Sequence, residues 1–553
     1  MGISSAFFGG GVLDKPLTGS SRLAVAICLL LLFSLAFFNT AWVAEDAYIT
    51  FRVVDNALNG YGLTWNPGER VQVYTHPLWF AMLFGSAAVF DNPYYVSLLL
   101  SFVLLCLTLV LMLRLSVNFS LLHVIVISFL LFSRSFVDYS SSGLENPLTH
   151  FLIVSIFAIS LRGWGGQKSY AVFFIASMLF LCRPDTLILV FPLLLLTVFE
   201  DRSLKYALIG GAPAILWVVF SLFYYGAPVP NTALAKVGGS VPWSEGVSSA
   251  WGGLKWLFLN DPFSLFLLLT GAALGLFHEK LRPFSLGLAL WFPYYFYVGG
   301  DYMAGRFFSS SVVLATCILI VVAAPSFLLF CLPLLLAVSS VLTKTLFSPV
   351  TFMSQHINSS GIADERAFYY RGTGLKPALI NRGPAHPWLI EGRLLRGQEG
   401  VFVRCAIGMV GFSAGPSVYW LDPLALADPL LARLPARSNT RVGHYERAFP
   451  KGYVDTIVKQ ENLIVDSEVK ALYEDVRLAV ASPLFTPERL GAIWRLNTGG
   501  YKHLSESFDR DNVELSGVPF IKNDMTTCLG VPHGHAVTWK LTGEPIIGVP
   551  IVY

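Results

Sequence analysis

Apolar and polar positions in this chain fall into long blocks. An apolar run at 23–38 predicts a first membrane span. Further apolar runs recur, with short polar breaks, as far as Leu346. Beyond Leu346 no apolar stretch is long enough to span, and charged residues become frequent. The pattern divides the chain into a membrane domain, 1–345, and a soluble domain, 346–553, of a size that buries its own core. Between His76 and Glu145 an even number of crossings is required, yet three apolar runs appear, at 77–90, 94–113 and 121–132. The first and third are short for a span of about 20 residues. Either one is a half-helix, or the third is a tight pair of short helices. The expected total is about 11 to 13 spans. No small-residue cleavage site follows the first run, so it reads as an uncleaved span.

Composition supports a polytopic α-helical membrane protein. The 553 residues are 54% hydrophobic and only 13% charged, where soluble proteins carry about 25% charge. Mean hydropathy is +0.61. The net charge of +3 gives no case for nucleic-acid binding. Lys and Arg in the short loops 162–168, 200–205 and 278–282 place those loops in the cytoplasm. Glu145, Arg183, the loop 225–261, the segment 301–306 and everything after Lys344 then face the other side. In a bacterium that means the inner (cytoplasmic) membrane, with the candidate site and the C-terminal domain in the periplasm.

Ionisable and aromatic residues gather on that side. Glu45 and Asp46 stand just past the first span, where an unpaired charge is costly unless it has a task. The bland reading is that they cap the next helix at its positive N-terminus. The functional one is that a carboxylate at the interface serves a lipid-linked substrate that cannot leave the bilayer. The stretch 47–58 has the pattern of an amphipathic helix lying in the interface. Arg183, Lys236 and Arg306 are candidates to surround a phosphate, the two arginines with forked donors. For Arg183 a local ion pair with Asp185 is the competing reading. Glu45, Asp46, Glu145 and Asp301 are candidate bases. Arg52, Tyr74, His76 and Asn231 are candidate substrate contacts, and Trp65, Tyr74, Tyr224 and Tyr225 candidate stacking rings for a sugar. Phosphate-loop and dinucleotide motifs are absent, as is any C-x-x-C pair, and the ten His show no metal-ligand spacing. No cofactor is called for; a divalent metal is left open without support from the sequence.

The strings NPGERVQVYTHPLW, SGLENPL, RPD, GAPVPNTALAK and GGDYMAGRFF resemble the polyprenyl-phosphate-sugar glycosyltransferases of the GT-C fold. They are similar, more narrowly, to the AftB-type arabinofuranosyltransferases. The resemblance continues through GIADERAFYY, VYWLDPLALADPLLARL and RVGHYERAFPKGY, covering roughly residues 40 to 500. A TfpW-type enzyme, which decorates type IV pilin with arabinofuranose, is a related possibility. The resemblance implies transfer of a sugar, D-arabinofuranose, from a polyprenyl monophosphate to a cell-envelope glycan or pilin acceptor. It also implies Asp46 as base or nucleophile, Glu45 as its neighbour and Glu145 as an orienting group. A transporter or flippase of a polyprenyl-linked sugar is the rival class. It would show internal repeats and broken midplane helices, and no clear repeat is seen.

The C-terminal domain reads as mixed α/β. Segments 401–411 and 417–422 look like strands, 466–480 has helical spacing with Val469, Leu472, Tyr473 and Val476 on one face, and 513–553 looks strand-rich. Of seven Cys, five (Cys28, Cys106, Cys182, Cys317, Cys331) lie in or beside spans; Cys405 and Cys528 remain, and an oxidising compartment would let them pair.

Overall fold

The computed structural model describes residues 15–162, 166–201, 204–237, 243–322, 357–358, 360–438, 440–510, 527–532, 537–541 and 547–549. The expected boundary at Leu346 and the residue Cys331 lie outside these. The first part is helical: α1 Gly19–Thr40, α2 Glu45–Leu58, α3 Pro77–Phe90, α4 Pro93–Met112, α5 Leu121–Ser128, α6 Arg134–Tyr139, α7 Asn146–Ser160, α8 Gly166–Cys182, α9 Leu187–Asp201, α10 Leu204–Tyr224, α11 Asn231–Val237, α12 Trp243–Asn260, α13 Pro262–Gly275, α14 Arg282–Tyr297 and α15 Ser309–Val322. Proline stands in the first turn of α3, α4, α7, α13 and α14. There the missing N–H costs nothing, because the first amides of a helix have no intrahelical acceptor.

Among the described residues three helices, α1, α4 and α10, are long and apolar enough to cross a membrane. The pair α12–α13, bent by 104°, would make a fourth. The described residues thus supply three or four helices of full spanning length toward the expected 11 to 13, and further apolar helices are shorter. Several apolar runs stop short at polar turns: α5 passes into a 3-10 turn, Phe129–Phe132, and ends at Ser133, α7 starts only after Glu145, and α8 ends at Arg183. Those turns build the site. Helix α15 is buried at every position from Ser309 to Ile320, as expected of a central helix that is apolar all round. Helix α10 is its opposite: only 11% of its apolar window is buried inside the protein.

The second part holds α16 Glu365–Thr373, α17 Leu375–Ile380, α18 Pro387–Leu395, α19 Gly408–Ala414, α20 Tyr453–Lys459, α21 Ser467–Ala481, α22 Pro487–Asn497 and α23 Leu504–Ser507. A four-stranded sheet runs in the order β2–β1–β5–β6, with β1 Gly400–Val403, β2 Val418–Leu421, β5 Thr538–Leu541 and β6 Ile547–Val549; β3 Thr527–Cys528 and β4 Val531–Pro532 form a small hairpin. Strands β1 and β2 pair in parallel, Gly400 opposite Val418, while β5 joins β1 antiparallel, Trp539 opposite Val403. The C-terminal strands thus return to the middle of the chain, and a Cys405–Cys528 disulfide ties them there. The expected helix 466–480 is α21, with Val469, Leu472, Tyr473 and Val476 all buried and Asp466 capping its first turn. The strand expected over 401–411 ends at Val403; residues 408–414 are helical instead.

That short helix, α19, explains a second departure. Helix α2 was expected to lie in the interface with one face wet, yet ten of its fourteen residues are buried. Its polar side is covered by α19. The guanidinium of Arg52 donates to the carbonyls of Trp65, Gly411 and Val418, and the side chain of Asn66 pairs with the backbone of Trp420. One apolar core accordingly runs from Leu29 in α1 through to Phe368, Trp388, Trp420 and Val480. A second core lies around the sheet and α20–α21.

Candidate active site

Arg306 opens the 3-10 turn Arg306–Phe308 that leads into the buried helix α15. The loop before it is shaped by Asp301. Its carboxylate accepts from the backbone N–H groups of Met303 (2.9 Å), Gly305 (2.7 Å) and Phe307 (3.2 Å). Gly305 has φ 98°, and a Cβ there would meet the Ser135 hydroxyl at 2.6 Å, so only glycine closes this turn. The predicted base Asp301 is thus spent on positioning Arg306.

The Arg306 fork meets two carboxylates. One nitrogen lies 3.0 and 3.3 Å from the oxygens of Glu145. The other lies 3.6 Å from Asp46. Glu145 stands at the N-cap of α7, after a turn in which Gly143 (φ 74°) packs directly on Val43 and Ala47. His76, at the N-cap of α3, sits between Glu145 (Nδ1 to Oε2, 3.3 Å) and the Thr50 hydroxyl (Nε2, 2.9 Å). Arg183 turns two nitrogens onto Asp185, at 3.1–3.2 Å, and lies 5.2 Å over the Phe307 ring. Lys236 donates to the Tyr302 hydroxyl (2.7 Å) and lies 5.0 Å over its ring. The structure therefore brings together Asp46, His76, Glu145, Arg183 and Arg306, with Lys236 beside them through Tyr302.

Exposure separates the carboxylates by role. The Glu145 side chain is 2% exposed and that of Asp46 is 32% exposed. Of the two, only the Asp46 carboxylate is open to the surface. Burial works to raise the Glu145 pKa, but Arg306, His76 and Arg183 outweigh it and hold it at about 2. Burial lowers the pKa of His76, helped by Arg306 and Arg183 and opposed by Glu145 and Asp46, so the imidazole is neutral at pH 7. Arg183 and Arg306 are close enough to repel each other. Among the described residues each has one buried nitrogen without a hydrogen-bond partner, Nη1 of Arg183 and Nε of Arg306. A like-charged pair with orphaned donors is the arrangement an anion relieves.

Other predicted residues lie elsewhere. Glu45 is turned from Asp46, and its carboxylate accepts the N–H groups of Gly408 and Met409 at the start of α19. Burial, with Asp46 adding to it, raises its pKa to about 8. Both acids stand in the first turn of α2, as the bland reading expected, while the Glu45 side chain makes its cap on a helix more than 360 residues away. Arg52 is held by backbone carbonyls, as above. Tyr74 is buried, hydrogen-bonded to Tyr225 (2.9 Å) and stacked on Phe80 at 4.5 Å. Trp65 is fully buried beneath Arg52, so neither ring offers a face to a sugar in this structure. Asn231 binds the carbonyls of Ala425, Leu426 and Asp428 and so anchors the 425–428 loop to α11.

Sequence reasoning missed Glu365. It is the first residue of α16, buried, and flanked by two ion-paired neighbours: Asp364 binds Arg134 (2.8 Å) and Arg366 binds Asp138 (2.9 Å). Burial raises its pKa to about 8, opposed by Arg441, with Asp46 and Arg306 both within its electrostatic reach. Arg441 donates to the carbonyls of Gly361 and Tyr302 and closes this side of the site. The signal was present in the acid–acid–base triplet of GIADERAFYY. Among the described residues no group of three or more His, Cys, Asp or Glu is placed to hold a metal ion.

No protein-family model matches the chain. A terminal beta-(1->2)-arabinofuranosyltransferase of Mycobacterium tuberculosis is 25% identical over 544 residues, covering 76% of this chain and 83% of that protein. One of Corynebacterium glutamicum is 28% identical over 323 residues, 48% of this chain and 46% of that protein. The chain thus spans less than half of the corynebacterial relative. Among solved structures, the apo Archaeoglobus fulgidus oligosaccharyltransferase aligns at TM-score 0.43 and 12% identity, covering 74% of this chain and 65% of that one. The arabinosyltransferase EmbB of Mycobacterium smegmatis aligns at TM-score 0.39 and 12% identity, covering 71% and 39%. The chain is therefore similar in sequence to AftB-type arabinofuranosyltransferases, as its motifs indicated.

Proposed function

We propose that this protein is a GT-C-type glycosyltransferase that moves D-arabinofuranose from a polyprenyl monophosphate to a hydroxyl on a periplasmic acceptor, a cell-envelope glycan or type IV pilin. The observation that carries the reading is the pair Arg183 and Arg306, within each other's field and each with a buried nitrogen unpartnered among the described residues, beside the part-exposed carboxylate of Asp46. Departure of the lipid phosphate builds negative charge at the phosphate and positive charge at the sugar. The guanidinium pair stabilises the first. Asp46 stabilises the second and takes the proton of the acceptor hydroxyl. Glu145 stays ionised and, with His76, holds the Arg306 fork in place. The relatives' name suggests a terminal β-(1→2) linkage. The test uses the purified chain in nanodiscs with polyprenyl-phosphate arabinofuranose and a short arabinan. Addition of one pentose, seen by mass, is expected; hydrolysis or movement of the donor without a new glycosidic bond overturns the reading.

A further inference from the structure

Helix α22 carries an apolar face that none of the described residues covers. Leu490 is 46% and Trp494 70% exposed, one turn apart on the same side of the helix, and Phe485 just before it is 80% exposed. The opposite face is buried through Arg489, Ala492 and Ile493. That inner face is fastened to the end of the outward-facing span α10. Arg489 donates to the Tyr224 carbonyl (3.0 Å) and lies 5.8 Å over the Phe223 ring. Asn497 donates to the Gly226 carbonyl (2.9 Å). Phe485 itself packs on Phe223, with ring centres 5.0 Å apart.

We infer that α22 lies in the bilayer interface, with Phe485, Leu490 and Trp494 inserted among the lipids. The argument is continuity. The surface of α10 is left to lipid, with Leu216 67% and Val219 58% exposed, and the apolar face of α22 extends it without a break through Phe223 and Phe485. A large aromatic at the rim of a span is the usual anchor at the headgroup level, and an amphipathic helix beside it lies in the plane of the interface. Outward charge on α22 is balanced, with Glu488 opposite Arg495, and Arg495 is already bound to Asp475 at 2.6 and 2.7 Å. The partner is accordingly the apolar boundary of a neutral bilayer and not an anionic headgroup. Helix α21, which precedes α22 across the short segment 482–486, reaches the site's first loop, because the Arg70 amide donates to the Val480 carbonyl (2.9 Å). Docking α22 on lipid therefore fixes the height of the segment that leads to His76.

The test uses the full chain in phosphatidylcholine nanodiscs. Cys28, Cys106 and Cys331 are replaced by Ser, and a nitroxide is placed through Trp494→Cys or, separately, Leu490→Cys. Both side chains point outward, so a label leaves the packing intact. Lys459→Cys, at an exposed position of α20, is the water control. Expected at both test sites is ready collision with oxygen and exclusion of a water-soluble nickel chelate. Chelate access at either site equal to that at Lys459→Cys overturns the inference. Shielding from both reagents also overturns it, since that marks contact with a second copy of the chain.

Discussion

Arg306 holds Glu145 and Asp46 with different nitrogens of one guanidinium, at 3.0 and 3.6 Å. The longer contact is to the more exposed carboxylate, so the pair that opens most readily is the one a substrate needs. Arg306→Lys keeps the charge and loses the fork. We predict a fall in transfer of about 100-fold, with little change in thermal midpoint. Wild-type turnover by the variant removes the forked contact from the mechanism.

Asp46→Asn keeps shape and deletes the base. Among the described residues the side chain makes only the long contact to Arg306, so folding should be unaffected and transfer should fall by about 1,000-fold. Glu45→Gln is the control. It leaves the acceptor oxygen for the Gly408 and Met409 amides, and activity should remain. The reverse outcome, an active Asp46→Asn and an inactive Glu45→Gln, exchanges the two assignments.

Adjacent residues on a helix point about 100° apart, which is why Glu45 and Asp46 were legible as a pair but not as two roles. Which of them faces the cluster is decided by α19, distant in sequence. Glu145, Arg183 and Arg306 were readable because charges stand out in an apolar chain, and sidedness gathered them on one face. Asp301 looked like a base by type, yet its own loop consumes it. Helix α2 read as amphipathic, and the pattern was real; its polar face meets protein, not water, a fact held by residues 408–420. Span number is less direct, because several apolar helices are cut short by the turns that carry the site.

Arg183 binds Asp185 and, in the proposed reading, the donor phosphate as well; the two variants Arg183→Ala and Asp185→Asn separate the two roles. Loss of Arg183 strands Asp185 and should cost about 2 kcal/mol of stability together with donor affinity. Asp185→Asn should cost stability and leave polyprenyl-phosphate binding intact, because the Arg183 charge remains. Equal donor affinity in wild type and Arg183→Ala would falsify a phosphate role and leave a structural ion pair.

The Cys405–Cys528 bridge closes a loop across 123 residues and joins β3 to the segment following β1. Long loops gain most from closure, and the expected contribution is about 2–4 kcal/mol. Cys405→Ser should lower the thermal midpoint and make it insensitive to reductant, while wild-type protein should lose the same increment on reduction. Free, alkylatable Cys405 in the folded wild type contradicts the bridge.

Alongside Glu45, which burial also raises to about 8, Glu365 is expected to shape the alkaline side of the activity profile. Burial, opposed by Arg441 and reinforced by Asp46, raises its pKa from 4.5 to about 8. The folded protein therefore retains this proton between pH 4.5 and 8 where the unfolded chain releases it. Its contribution to stability is fully present below pH 4.5 and is lost as pH rises through about 8. Function follows the same proton. A neutral Glu365 adds no charge beside Arg306, which Glu145 and Asp46 hold; an ionised one adds negative charge within its reach and repels the phosphate. Raising pH through about 8 should increase the donor KM several-fold, with kcat nearly constant. Glu145, held at about 2, stays ionised over that whole range and contributes nothing to the limb. Glu365→Gln is neutral at every pH, so it should flatten the rise in KM while keeping activity at pH 7. A variant with the same alkaline limb as wild type assigns that proton to another group.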